Sequence, residues 1–162
     1  MTVKEYNTAV REFADPVFRF VFRSMKDRDR ANDIVQDSFE KLWILVAEID
    51  YTVVRSWLFK TAYNRMIDVI RKESRLTMVE NYDDSSLFTE ELSGDLNEVL
   101  HKALELLPAV QRSVILLRDY EGYSYQEISA ITNLSETQVK VYIYRGRVSL
   151  RKYLVNAGLT VS

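Results

Sequence analysis

The chain has 162 residues, of which 47% are hydrophobic, with a formal net charge of −2 and no cysteine. The apolar content excludes a disordered chain, and the absence of cysteine excludes disulfide bonds and thiolate metal sites. No apolar run reaches the roughly 20 residues of a membrane span and the N-terminus is not signal-like, so we expect a cytoplasmic protein without membrane insertion.

The charges are unevenly distributed along the chain. Residues 51–75 contain six basic and two acidic side chains, and residues 135–153 contain five basic and one acidic side chain. Between these basic blocks, residues 76–98 contain seven acidic side chains and no basic one. Charges further apart than a Debye length of roughly 10 Å are largely screened, so a phosphate backbone would respond to each basic block separately.

Two amphipathic helices are predicted at the start of the chain. The first covers residues 3–24, and Pro16 is expected to kink it or to divide it into two short helices. The second covers residues 30–49, where apolar side chains recur at helical spacing and a mixed face carries several acids. This mixed face is either a solvated surface or a docking surface for a basic partner helix.

A basic helix with interleaved aromatic and amide side chains is predicted over residues 54–73. Aromatic faces stack on unpaired bases, and arginine and lysine bind phosphates, so the block as a whole favours nucleic-acid binding. For Trp57 taken alone, packing in the protein core is the alternative interpretation.

The acidic segment that follows, residues 76–94, shows no sustained apolar period, and we interpret it as a flexible linker. The predicted fold is therefore all-α, with two small helical domains at residues 1–75 and 95–162 joined by this acidic linker. The second domain starts with a helix that ends before Pro108, and the next helix is predicted over residues 109–120.

The end of the chain has the pattern of a helix-turn-helix. Ser124 is followed three residues later by Glu127, and Ser135 by Gln138, so two capping-box signatures occur close together. Asn133 occupies the turn between the two helices, where a short polar side chain tolerates a positive φ. The helix that follows is basic, and its shape and charge suit the major groove of duplex DNA.

No catalytic, metal or cofactor site is predicted. The single histidine, His101, lies on a charged helix without a second histidine or a cysteine, and no glycine-rich phosphate loop occurs. The residues favour a protein with two nucleic-acid-binding domains. A helix-turn-helix repressor or activator and a helical adaptor that binds only protein are the alternatives.

Three segments resemble those of the extracytoplasmic-function (ECF, group IV) sigma factors, the smallest class of sigma-70 family subunits of bacterial RNA polymerase. ANDIVQDSFEKLW (31–43) resembles the helix that binds core polymerase. RSWLFKTAYNRMIDVIRKE (55–73) is similar to the segment that melts the promoter and recognises its minus-10 element. Residues 104–154 are similar to the domain that recognises the minus-35 element. The segments occur in the family's order, and the resemblance covers nearly the whole chain.

The resemblance implies a protein that binds core RNA polymerase, recognises both promoter elements and directs transcription initiation without being an enzyme. The residues implied to dock on core polymerase are Asp33, Gln36, Asp37, Glu40 and Trp43. Those implied to bind the single-stranded minus-10 element are Arg55, Trp57, Lys60, Tyr63, Asn64, Asp68 and Arg71. Those implied to contact the minus-35 duplex are Thr137, Gln138, Lys140, Val141, Tyr144, Arg145 and Arg147. An anti-sigma protein is a further partner that the family implies.

The helix-turn-helix departs from the family's pattern at a few positions. Many relatives have glycine where this chain has Asn133, and the position of Val141 is often small and polar. Tyr142 and Tyr144 are also unusually bulky. The promoter sequence of a relative therefore does not transfer to this chain.

Overall fold

Every regular element in the part of the chain that the structure describes is a helix, which confirms the all-α prediction. The structure is a computed structural model that describes residues 1–77 and 96–158. Its helices are α1 (Val3–Met25), α2 (Arg28–Ile44), α3 (Val54–Thr77), α4 (Leu96–Leu106), α5 (Ala109–Ile115), α6 (Tyr125–Thr132) and α7 (Glu136–Asn156), with a 3-10 turn at Tyr51–Val53 and a π-helical turn at Leu116–Tyr120.

We call residues 1–77 the first module and residues 96–158 the second module. The predicted acidic linker lies outside the described residues, except that α3 extends into its first two positions. Within the two modules, no helix is both long enough and apolar enough to span a membrane.

The first module consists of α1, α2 and α3 packed around one apolar core. α1 is a single helix that passes through Pro16, rather than the two short helices considered from the sequence. Proline removes one backbone hydrogen bond, but Val17 and Val21 are fully buried immediately after it and keep this part of α1 packed on the core. α2 ends at Ile44, five residues before its predicted end, and residues 45–49 form turns.

Both capping boxes predicted in the second module are present. The Ser124 hydroxyl accepts a hydrogen bond from the Glu127 amide, and the Glu127 carboxylate accepts one from the Ser124 amide. Ser135 and Gln138 make the same exchange at the start of α7. Asn133 ends α6 in the left-handed conformation, with φ of 61°. The predicted helix-turn-helix is therefore confirmed in its caps and its turn.

Replacing Asn133 with alanine should lower the free energy of unfolding by about 1 kcal/mol, because the alanine Cβ is disfavoured in the left-handed region that asparagine tolerates. Asn133→Gly is the matched control, since glycine adopts this conformation without steric cost. Urea denaturation of the three proteins measures the difference, and an alanine variant as stable as the glycine variant would contradict the expectation.

The helix predicted over residues 109–120 changes its hydrogen bonding partway along. Its α-helical part ends at Ile115, and the π-helical turn follows. The Glu121 amide closes this turn by donating to the Leu116 carbonyl oxygen at 3.1 Å. Gly122, with φ of 76°, then reverses the chain toward α6, in a conformation that favours glycine.

The two modules pack against each other, which the sequence did not predict. α3 packs on α6, and α1 contacts α4 and α5. At the edge of this contact, the Lys26 ammonium group lies 3.7 Å from the Glu105 carboxylate. The packing covers part of α3, and it therefore determines which predicted site residues reach solvent.

Candidate functional site

The five residues predicted to dock on core polymerase share one face of α2. Their spacing of three and four residues brings them together along the helix. Three of them are charged, and all five side chains are exposed or half-exposed (Asp33, Gln36, Asp37, Glu40 and Trp43). The structure thus presents a continuous acidic face that includes one large aromatic ring.

Trp43 is the main apolar group on this face, with 49% of its surface exposed. Its ring meets the Tyr6 ring edge-on, with 5.0 Å between the ring centroids. The Tyr6 hydroxyl donates to the Phe39 carbonyl oxygen at 3.1 Å, which fixes α1 to α2 beneath the indole. An exposed, supported tryptophan among carboxylates is a typical centre of a protein interface, because aromatic anchors carry much of the binding energy.

The seven residues predicted to contact the minus-35 duplex are all exposed on α7 (Thr137, Gln138, Lys140, Val141, Tyr144, Arg145 and Arg147). Tyr144 is 71% exposed and Val141 is 37% exposed. The opposite side of α7 packs into the second module through buried Val139, Ile143 and Gly146. This arrangement leaves a basic and aromatic helical face outward, as recognition in a major groove requires.

Three of these seven residues already have partners within the second module; one of them, Lys140, places its ammonium group 5.7 Å from the centroid of the Tyr125 ring. The Arg147 guanidinium makes two hydrogen bonds to the Asp119 carboxylate, at 2.6 and 3.4 Å. The Gln138 side chain completes the capping box of α7. Arg145 lies on the exposed face beside them. We therefore expect Arg145 to contribute more to DNA binding than Arg147 does.

The seven residues predicted to bind the minus-10 strand divide into two sets along α3. Asn64, Asp68 and Arg71 are exposed. The other four lie toward the second module (Arg55, Trp57, Lys60 and Tyr63). Two of them are half buried, Tyr63 is buried, and Lys60 is exposed at the edge of the contact between the modules. Among these seven residues, those nearest the N-terminus of α3 lie beside the second module, and those nearest its C-terminus are exposed to solvent.

Trp57 and Tyr63 show how this covering works. Trp57 and Lys60 line a cleft of about 200 Å³ together with Ala130 and Ile131 of α6. Tyr63 is only 4% exposed, and burial raises the pKa of its hydroxyl. Tyr63, which the family resemblance implies to bind the minus-10 strand, is therefore buried, on the side of α3 that the second module covers.

Arg55 is the centre of the contact between the modules. Its guanidinium lies 4.5 Å from the centroid of the Tyr123 ring and 5.3 Å from that of the Phe59 ring. It also donates a hydrogen bond to the Glu121 carbonyl oxygen at 3.3 Å and lies 3.5 Å from the Glu121 carboxylate. The Phe59 and Tyr123 rings meet edge-on with centroids 5.4 Å apart. A cation and two aromatic rings thus join the modules.

The Glu121 carboxylate is buried in this contact, with 4% of its side chain exposed. Burial raises the pKa of this carboxyl, and the positive charges of Arg19, Arg55 and Arg23 oppose that rise. One carboxylate oxygen, Oε1, has no hydrogen-bond partner in the described part of the protein, and neither has the buried Tyr123 hydroxyl. The contact is therefore held by charge and aromatic packing, with polar groups left unsatisfied.

Sequence reasoning did not identify Arg19, Arg23, Phe59, Glu121 or Tyr123 as functional candidates. The one local signal is the sequence DYEGY, whose glycine indicates a turn. The side chains of the first module that meet this turn lie more than 60 residues before it in the chain, so no periodicity could have paired them with it. In residues 1–77 and 96–158, no group of three or more histidine, cysteine or acidic side chains is arranged to bind a metal.

Comparison with known proteins matches both modules to one family. Residues 9–76 match the family Sigma-70 region 2, and residues 97–150 match Sigma-70, region 4. A solved structure of the sigma factor RpoE in complex with the anti-sigma factor NepR, from Bartonella quintana, superposes with a TM-score of 0.75 and 26% identity. The superposition covers 94% of this chain and 98% of that one.

Curated relatives extend this likeness to nearly the whole chain. The ECF RNA polymerase sigma factor SigM of Bacillus subtilis is 30% identical over 152 residues, which cover 91% of this chain and 93% of the relative. The ECF RNA polymerase sigma factor SigE of Mycolicibacterium smegmatis is 31% identical over 92% of this chain and 61% of its own length. The chain therefore belongs to the ECF RNA polymerase sigma factors and acts in transcription initiation.

Proposed function

We propose that each of the three predicted faces has one partner. The acidic face of α2 binds core RNA polymerase, α3 binds the unpaired strand of the minus-10 element, and the outward face of α7 binds the minus-35 duplex. The domain boundaries that go with these roles are residues 1–75, 76–94 and 95–162. One observation carries the proposal. The outward, basic face belongs to α7, the second helix of a helix-turn-helix whose two helices both begin with a capping box, and the same chain also has a region-2 module.

The finer assignments follow from this proposal. The chain belongs to group IV, has no catalytic activity of its own, and acts in the cytoplasm, where core polymerase meets the DNA. An anti-sigma protein is proposed as its regulator, since the superposed RpoE structure contains one. A repressor that acts without polymerase would have no use for the exposed face around Trp43.

Reconstitution with core polymerase tests the proposal. The protein is mixed with core enzyme, and the complex is isolated by gel filtration and used to select templates from a library of random promoters. We expect a stable complex and transcripts that share two spaced sequence elements. Failure to form any complex with core polymerase would contradict the proposed function.

Replacing Arg145 with alanine should weaken binding to the selected minus-35 element by about 1–3 kcal/mol if its guanidinium contacts a base. Lys152→Ala is the matched control, because it removes the same charge from an exposed position near the end of α7, outside the predicted face. Competition binding of both variants to the selected duplex and to point-mutated duplexes measures the effect. Equal losses for the two variants would show that Arg145 has no specific contact.

A further inference from the structure

The first module carries a cationic and aromatic site that is filled by another part of the same chain. On the module's side, Phe59 is fully buried, and its ring lies between Phe20, with centroids 5.5 Å apart, and Tyr123. Arg55 lies over the same ring. Without the second module, the outer edge of the Phe59 ring and the Arg55 guanidinium would be exposed to water.

The occupant of this site is the turn at residues 120–123. Its Tyr123 ring packs on Phe59 and under Arg55. Its Glu121 carboxylate lies in the positive field of Arg55 and of two arginines from α1, Arg19 and Arg23. The Arg23 guanidinium also lies 4.6 Å from the centroid of the Tyr120 ring. The turn thus places one anion and one planar ring on the first module.

An anion next to a planar ring is also what one nucleotide of unpaired DNA presents. Proteins bind unpaired strands by stacking bases on aromatic side chains and by pairing phosphates with arginine and lysine. A phosphodiester of DNA carries the same single negative charge as the Glu121 carboxylate, and its two non-bridging oxygens can accept the same charge-assisted hydrogen bonds from arginine.

We propose that Arg19, Arg23, Arg55 and Phe59 form a binding site for one nucleotide of unpaired DNA, and that the turn at residues 120–123 occupies this site in the closed molecule. The base takes the place of the Tyr123 ring, and the phosphate takes the place of the Glu121 carboxylate. This inference rests on the proposed function, since it makes the closed molecule unable to bind promoter strand through this site until the modules separate.

A reversible cross-link tests whether closure blocks the site. The chain has no cysteine, so cysteines placed at Lys26 and Glu105, whose charged groups lie 3.7 Å apart, can be joined by a short bis-methanethiosulfonate linker and released with dithiothreitol. Binding of a fluorescent single-stranded oligonucleotide of mixed sequence is measured by anisotropy in both states. We expect binding at least about tenfold weaker in the locked state, and equal binding in both states would overturn the proposal.

A charge reversal tests the same site without a cross-link. Glu121→Lys places a fourth cation among the three arginines and should open the molecule, since like charges in a buried site repel strongly. Oligonucleotide binding should become about tenfold tighter, the change expected if about nine molecules in ten are closed. Glu48→Lys, at an exposed position outside the contact, changes the net charge by the same amount. Equal affinities for the two variants would count against the proposal.

A third variant asks whether the nucleotide uses this site rather than the exposed end of α3. In the Glu121→Lys background, Arg19→Ala should remove most of the gain, whereas Arg11→Ala, exposed on the same helix, should leave it. Equal effects of these two changes would exclude the assigned site. All three measurements are made without polymerase, so a chain that binds the oligonucleotide as expected but forms no complex with core enzyme would overturn only the proposed function.

Discussion

Trp43→Ala should weaken the binding of core RNA polymerase by about 2 kcal/mol or more, which is roughly 30-fold. The indole is half exposed at the C-terminal end of the acidic face of α2 and is supported from below by Tyr6. An aromatic side chain that is held in place before binding loses little entropy when a partner covers it, so its truncation removes most of its contribution. Titration of labelled core enzyme with the variant measures the loss.

The control for this result removes a similarly exposed apolar side chain elsewhere. Val155 is 60% exposed at the end of α7, far along the chain from the acidic face, and Val155→Ala should bind core polymerase as tightly as the unchanged protein. Trp43→Phe should lose less than Trp43→Ala, because it keeps an aromatic ring against Tyr6. If the alanine variant bound normally with an unchanged helical spectrum, α2 would not be the docking surface.

Ile128→Ala should lower the free energy of unfolding by about 3 kcal/mol and should abolish binding to the minus-35 element at physiological temperature. Ile128 is fully buried in α6. The contact between α6 and α7 helps to position α7. Truncation of a buried isoleucine to alanine typically costs 2–5 kcal/mol, because it removes apolar burial and leaves a cavity. This is a large fraction of the stability of so small a module.

Gln126→Ala is the matched variant on the same helix, since Gln126 is exposed and its truncation leaves no cavity. Urea denaturation followed by circular dichroism measures both free energies of unfolding. Binding of the selected minus-35 duplex below and above the lowered midpoint separates lost folding from lost contacts. A loss of less than about 1 kcal/mol for Ile128→Ala would show that α6 repacks and that its core does not fix α7.

The helix-turn-helix was predictable because its determinants are local. A capping box involves residues three positions apart, and the left-handed turn depends on the residue that occupies it. Ser124, Ser135 and Asn133 therefore specify the two helix starts and the turn with little help from the rest of the chain. The exposed face of α7 could also be predicted from the sequence, because charged side chains are rarely buried without partners.

The end of α2 was mispredicted because apolar spacing does not require a helix. Ile49 continues the apolar period of α2 and is buried. The chain nevertheless leaves the helix after Ile44 and brings Ile49 into the core through a series of turns. Periodicity reports which side chains are buried, and different backbone paths can bury the same set.

The contact between the modules could not be predicted from the sequence, because its parts become complementary only in three dimensions. The family resemblance implied a DNA-binding role for Arg55, and nothing in the sequence singled out its aromatic partners, Phe59 and Tyr123. Trp57 shows the same ambiguity. Trp57 is half buried, so it is neither a fully buried core residue nor a freely exposed binding residue.

The π-helical turn before Glu121 gives this contact an unexpected sensitivity to insertions and deletions. An i→i+5 hydrogen bond encloses one residue more than the α-helical bond does, so the turn carries an additional residue within the helix. Removal of one residue between Leu116 and Tyr120 would restore the α-helical phase and rotate the following side chains by roughly 100° about the helix axis. Glu121 and Tyr123 would then no longer meet Arg55, while α6 and α7 kept their own sequences. Homologous chains that differ by this single residue would retain the same exposed faces on α2 and α7 but would differ in whether their two modules form this contact.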